Sequence, residues 1–461
     1  MIQIDIEHPE FKRQVWMWRM YRDLYVGGHQ FKLHASDYLL RRQKEPLDVY
    51  SERLYRVFYE NYVGSIVDWY ASTLFRREPN LKFEGGLEAG QEFLSQLAED
   101  CDFRGTKLSS FFRRCLIDML VAGRSHILID FPRASNAALN RAEEDSAGIS
   151  RAFLVRFETE DLINWSCDER GCYEWVVLRT KVQRQPSVDS PETINETFWY
   201  YYDKTEYRTY RRIEGGDEPA AIDLISRGPH ALAHQARVPL FTLQVSEGLW
   251  LMNKAAQLQL EHFNKSNALG WAITMGLFAM PVVYSDREWS QIVGESYYIQ
   301  LGPTDRFGWT EPDGKVYQIA AANLEMLKQE IYRVCYLSQA SGEAATSQGQ
   351  SALGKQLDFT VTQEVLRAYG AAVKECIKNV LTAISDARQD GVQISVAGMD
   401  EVDISDFTTE LQQATDLLKL GINSATLKRE IFQRLALKYM SDARQETKDR
   451  IAREIEAQIS N

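Results

Sequence analysis

Leu54, Phe58, Tyr62, Ile66, Tyr70 and Leu74 recur every four residues, a spacing that lines one face of an α-helix. The stretch 48–78 is therefore expected to be one helix, ended by Pro79, which cannot continue it. Residues 9–26 and 36–43 also carry helical patterns, and 107–122 is an amphipathic helix closed by Ala122-Gly123. The pattern then changes. His126 to Pro132 is a short apolar strand, and 134–149 reads as an exposed loop. Alternation at Phe153–Phe157, Trp175–Leu178, Thr197–Tyr202 and Tyr207–Tyr210 predicts antiparallel strands, with a loop at Ser187–Thr193.

The second half changes character again. Leu249 to about Gly276 is predicted helical, with small residues (Ala255, Ala256, Ser266, Ala268, Gly270, Ala272) that would admit close neighbours. A β-rich insert follows: strands at Met280–Tyr284, Tyr297–Leu301 and Lys315–Ile319, a short helix opening at the capping box Ser285–Glu288, and a turn at Pro312-Asp313-Gly314. The return helix, about 321–340, spaces Leu324, Leu327, Ile331 and Val334 as a narrow seam. Ser341 to Asp358 is small and polar and is expected to be a loop. The capping box Thr360–Gln363 then opens a helix to about Gln389, with Val361, Val365, Tyr369, Val373, Ile377, Val380 and Ile384 inside. Val392–Val396 is a strand, and the chain beyond Thr408 is helical and charged.

With 461 residues, the chain has core enough for two to four domains. Ten Trp, 22 Tyr and 20 Phe point to a large core or an extensive interface. A formal net charge of −12 argues against tight nucleic-acid binding, which needs clustered Lys and Arg, but not against a conduit that DNA slides through. The N-terminus lacks the basic region and apolar run of a signal peptide, and no run suffices for a membrane span. The six cysteines read as buried or free thiols.

The sharpest enzyme-like motif is Gly349 to Gln356, one residue short of a phosphate-binding loop. Such a loop needs a Ser or Thr after the lysine to hold magnesium, and Gln356 stands there. His230 and His234 have the spacing of a metal pair, without a third ligand. No nucleophile–base or paired-carboxylate motif is present, so an enzyme is not expected, nor a cofactor or metal.

Tyr50–Leu54 through Asn61–Asp68, then Leu74–Pro79, resembles the opening helix of tailed-bacteriophage portal (head–tail connector) proteins. Leu120–Arg124 with Leu128–Pro132, then Glu160–Trp165, then Val238-Pro239-Leu240 before the long helix, are similar to their succeeding units in the same order. The resemblance implies an α+β portal fold. It would have a wing at 1–245 and 359–405, a stem at 246–276 and 321–340, a clip at 277–320, a tunnel loop at 341–358 and a helical crown at 406–461.

It further implies a homo-oligomeric ring, usually of twelve subunits, at the capsid portal vertex of the virion, assembled in the host cytoplasm. Double-stranded DNA would pass through it non-specifically during packaging and ejection. The other implied partners are the terminase large subunit, a head–tail adaptor, and the major capsid or scaffolding protein. The implied tunnel-loop contacts to DNA are Gln348, Gln350, Ser351, Lys355 and Gln356, and the implied clip docking residues are Arg287, Trp289, Tyr297, Tyr298, Arg306 and Trp309. Stem packing would fall to Ala255, Ala256, Leu324, Leu327 and Ile331. The alternatives are another capsid-associated or adaptor structural protein and, less favoured, nucleotide binding through Gly349–Lys355.

Overall fold

The computed structural model describes residues 3–76, 78–132, 151–185, 187–189, 193–214, 221–276, 280–284, 304, 306–310, 314–337, 352–399, 407–419, 424–440 and 445–459. It is mixed helix and sheet, with every strand pair antiparallel. The chain divides into two compact units. The first comprises 1–22, 66–253 and 349–461, and the second 23–65 and 254–348.

In the first unit, a five-stranded meander runs Leu162–Cys167, Tyr173–Arg184, Ile194–Asp203, Glu206–Glu214, Asp223–Pro229. Its core holds Val176, Leu178 and Tyr202 on one cluster and Val177 and Trp199 on another. That division follows from the two-residue period of a strand, which sends neighbouring side chains to opposite faces. A second sheet places Arg124–Asp130 between Phe153–Phe157 and Leu240–Gln244. The helix Leu108–Ala122 leads into it through Gly123, which is left-handed at φ 84°. A Cβ there would sit 3.1 Å from the Trp250 ring, and that indole donates to the Val121 carbonyl at 2.9 Å.

A 37-residue helix, Ala352–Arg388, buries Val365, Tyr369, Val373, Ile377, Val380 and Ile384. Tyr369 meets Tyr70 edge to face and donates to the Leu249 carbonyl at 2.6 Å. Val361, expected inside, is exposed. The helix begins at Ala352, within the stretch 341–358 expected to be loop, and runs through the capping box at Thr360. Ala352, Leu353, Lys355, Gln356 and Leu357 are good helix formers, and they carry the helix across Gly354 and past the start signal at Thr360.

Asn80–Glu84 pairs with Gln393–Ala397. The helix Glu88–Glu99 follows the first of these strands. Three further helices, Phe407–Lys419, Ala425–Tyr439 and Gln445–Ile459, complete the described C-terminal residues. Arg429 bonds Glu456 at 3.0 Å between the last two.

Candidate functional site

The second unit is organised on the helix Leu251–Gly276. Ala255, Ala256, Gln259, Phe263, Ser266 and Asn267 recur at three- and four-residue steps and are all buried. Phe31 stacks on Tyr59 at 4.1 Å and meets Phe263 edge to face. The buried amides would be costly unless bonded. Each finds main chain. Asn267 Nδ2 donates to the Phe58 carbonyl at 2.9 Å, and its Oδ1 accepts from the Phe58 N–H at 3.1 Å. Asn264 does the same for Tyr38 O and Leu40 N–H. Gln259 bonds Glu60 O and the Val63 N–H.

These straps correct the expected single helix over 48–78. The structure has two helices, Leu47–Tyr55 and Tyr62–Leu74. The backbone between them at Phe58 and Glu60 uses side-chain amides as partners instead of its own helix. Residues 36–43 are likewise not one helix: Gly28–Leu33 and Ala35–Tyr38 precede a bend. Asp23 organises that corner, accepting from Gln30 Nε2 at 3.1 Å and Tyr38 OH at 2.7 Å, with His34 Nδ1 at 2.9 Å. Burial and the Asp23 carboxylate push the Tyr38 phenol well above its ordinary range.

The helix Gly314–Val334 runs antiparallel to Leu251–Gly276. Lys254 Nζ reaches the Tyr336 hydroxyl, Lys265 Nζ bonds Asn323 Oδ1 at 2.9 Å, and Tyr317 OH donates to Ala272 O at 3.2 Å. One index rises as its partner falls, residue for residue. The strands Met280–Tyr284 and Arg306–Thr310 continue this register, from Met280 opposite Thr310 to Tyr284 opposite Arg306. The excursion is thus one antiparallel arm, helical at its base and stranded beyond. The expected strand Lys315–Ile319 is instead the first turns of the return helix, because residues 315–331 continue the helical periodicity that Leu324 and Leu327 share.

Two apolar stripes lie on this return helix. The inner one holds Tyr317, Leu324 and Leu327, half-buried, with Ile331 and Cys335 buried. The outer one, facing away at helical spacing, holds Ile319 and Met326, exposed at 70% and 64%. Ala322 lies between them, also exposed. Of the residues expected to pack the stem helices, Ala255, Ala256 and Ile331 are buried within the chain. They fill the chain's own core, and the outer stripe stays exposed. The seam expected from periodicity is the inner stripe, and Ile319 of the outer one falls in the stretch expected as a strand.

Of the expected clip residues, Arg306 is exposed at the end of its strand and Trp309 lies within it. Arg287, Trp289, Tyr297 and Tyr298 lie outside the described residues, as do Gln348, Gln350 and Ser351. Lys355 and Gln356 fall in the first turns of Ala352–Arg388, inside a helix instead of a loop. The element described before that helix is another helix, Gly314–Val334, not the strand a phosphate-binding loop requires.

His230 does not pair with His234. Its Nε2 lies 2.9 Å from the Asp203 carbonyl, and burial lowers its pKa. Cys167 and Cys172 are exposed free thiols flanking a turn held by Asp168, whose Oδ1 accepts from the Arg170 and Cys172 N–H groups. Among the described residues, no group of three metal-ligating side chains converges, and no helix is long and apolar enough to cross a membrane.

No family model matches the chain, and no curated protein matches it. Among solved structures it is similar to a chain from the neck of an empty gene transfer agent (GTA) particle computed with C6 symmetry. That match has 12% identity, covers 87% of this chain and 95% of the other, and has a TM-score of 0.43. A chain from the virion of a native GTA particle matches at 13% identity over 87% and 97%, with a TM-score of 0.36. One from the neck of a native GTA particle computed with C12 symmetry matches at 11% over 87% and 97%, with a TM-score of 0.37. At these scores the likenesses fix neither fold nor function.

Proposed function

We propose that this chain is the subunit of a bacteriophage portal: a closed ring of copies, usually twelve, that conducts double-stranded DNA at a capsid vertex. The observation that carries this reading is the antiparallel arm from Leu251 to Val334, together with the apolar stripe on its outer side. An arm of paired helices suits the wall of a channel. A stripe of large apolar side chains left in water costs free energy until a neighbour covers it. Copies related by rotation about one axis cover such a surface repeatedly, and the ring closes.

In this reading the helix pair is the stem and the strand pair Met280–Tyr284 with Arg306–Thr310 is the base of the clip, the docking surface for terminase and adaptor. The tunnel loop implied at 341–358 gives up its C-terminal end, since a helix starts at Ala352. The net charge of −12 suits a conduit, since a wall that repels phosphate does not retain DNA. The protein supplies shape and passage, and hydrolysis belongs to the motor. Native mass spectrometry of the purified chain tests the reading: a discrete high-order oligomer is expected, and a monomer or dimer at every concentration and salt would contradict it.

A further inference from the structure

The three-residue turn Thr159–Asp161 joins the strands Phe153–Phe157 and Leu162–Cys167 in the first unit. Its ends interlock. The Glu158 N–H donates to Asp161 Oδ2 at 2.8 Å, while the Asp161 N–H donates to the Glu158 side chain. Thr159 Oγ1 pins the middle, donating to the Arg124 carbonyl at 2.6 Å. This reciprocal box holds two carboxylates in one tight turn.

Two more stand beside them, Glu160 in the turn and the buried Asp118 on the helix Leu108–Ala122. Two guanidiniums face the four. Arg22, from the helix Pro9–Val26, bonds Glu160 through Nε at 2.9 Å and Nη2 at 2.8 Å. It also lies 3.4 Å from Glu158 and 3.5 Å from Asp118. Arg156, from the preceding strand, bonds Asp118 and lies 3.8 Å from Glu158. The ion pairs of both guanidiniums thus go to the other three carboxylates.

Four carboxylates against two guanidiniums leave negative charge uncompensated in a partly buried site, which is unfavourable unless a proton is held there. We propose that the turn is a proton-operated joint, closed while Asp161 carries a proton and loosened when it ionises. Burial, followed by the neighbouring Glu158 and Glu160 carboxylates, pushes the Asp161 carboxyl up to about 7, with its bond from the Glu158 N–H and the Arg22 charge opposing. Burial raises Glu158 too.

The direction follows from proton binding. A carboxyl that holds its proton more tightly in the closed turn than in the open one stabilises the closed turn at low pH. That stability is lost as the pH rises through about 7. Asp161→Asn keeps an oxygen to accept from the Glu158 N–H and carries no charge at any pH.

Hydrogen–deuterium exchange of the full-length chain, read by mass spectrometry on peptides spanning 157–163 and corrected for intrinsic rates, tests this between pH 5 and 8. Opening is expected to increase by up to about tenfold per pH unit and to level off above pH 7. In Asp161→Asn the profile is expected to be flat. Glu158→Gln removes a repelling neighbour and should move the levelling point to lower pH. A flat profile in the wild-type chain would overturn the proposal without any variant. A slope that survives Asp161→Asn but vanishes in Glu158→Gln would place the proton on Glu158 and overturn the assignment.

Discussion

Lys265 Nζ bonds Asn323 Oδ1 at 2.9 Å across two antiparallel helices, and this contact sits midway along a register that ends in the strand pair Tyr284–Arg306. One register over helices and strands alike means the excursion is built as a single arm. Its inner side is filled from within the chain, so in the proposed ring the residues left exposed on the return helix would meet the next copy.

Charging the outer stripe should separate folding from assembly. Ile319→Glu combined with Met326→Glu changes two exposed positions, where substitutions alter stability by only about 0.5 kcal/mol each. The melting temperature of the subunit should barely move, while sedimentation velocity shows the oligomer shifting to smaller species. An unchanged oligomer would remove this stripe from the interface.

Asn267→Ala should destabilise the second unit by about 2–4 kcal/mol, since it orphans both the N–H and the carbonyl of Phe58. Urea denaturation read by tryptophan and tyrosine fluorescence measures it. Asn267→Asp sets a carboxylate oxygen against the Phe58 carbonyl at a buried position, and a cost at least as large is expected at neutral pH.

At Gly370 two general rules oppose each other. In a helix interior, Gly→Ala ordinarily stabilises by about 1 kcal/mol. Here a Cβ would lie 2.2 Å from the Met399 carbonyl oxygen, and main chain yields less easily than a side-chain tip. Gly370→Ala is therefore expected to lower the melting temperature, with a cost of about 1–3 kcal/mol from overpacking. A rise in melting temperature would show that the 399 segment relaxes freely.

Acid should weaken the first unit through His126. This imidazole is fully buried beside Thr242, with Nδ1 3.0 Å from its Oγ1, and burial, then the Arg124 charge, lowers its pKa to about 3. The unfolded chain takes up the proton near pH 6.5 and the folded one does not. Stability is thus full above about 6.5 and falls as the pH drops towards 3, by at most about 1.4 kcal/mol per pH unit from this group. Equilibrium unfolding between pH 7 and 4 measures the slope, and His126→Gln should reduce it.

How much of this was legible in the sequence depended on what satisfies the backbone. Leu108–Ala122 and Leu251–Gly276 could be read because each carries its buried positions within one continuous helix, the first closed by Gly123. The break between Tyr55 and Tyr62 could not, since its partners are Gln259 and Asn267, some two hundred positions away. Asn80–Glu84 gave too short a signal, and its mate Gln393–Ala397 lies more than 300 residues downstream. Asp223–Pro229 was missed in the same way, as an edge strand whose exposed Leu224 and Ile225 break the alternation. At the candidate site the outgoing helix and the strand Met280–Tyr284 were readable, whereas the strand Arg306–Thr310 was not expected and Lys315–Ile319 is helix instead of strand. What covers Ala255 and Ala256 was not readable, because a small residue looks the same from sequence whether its own chain or another copy covers it.

Electron microscopy of the purified chain, with class averages viewed along the particle axis, tests the central claim most directly. The portal reading predicts closed rings of about twelve copies around an open channel. Particles without a central pore, or a chain that stays monomeric at micromolar concentration, would contradict it.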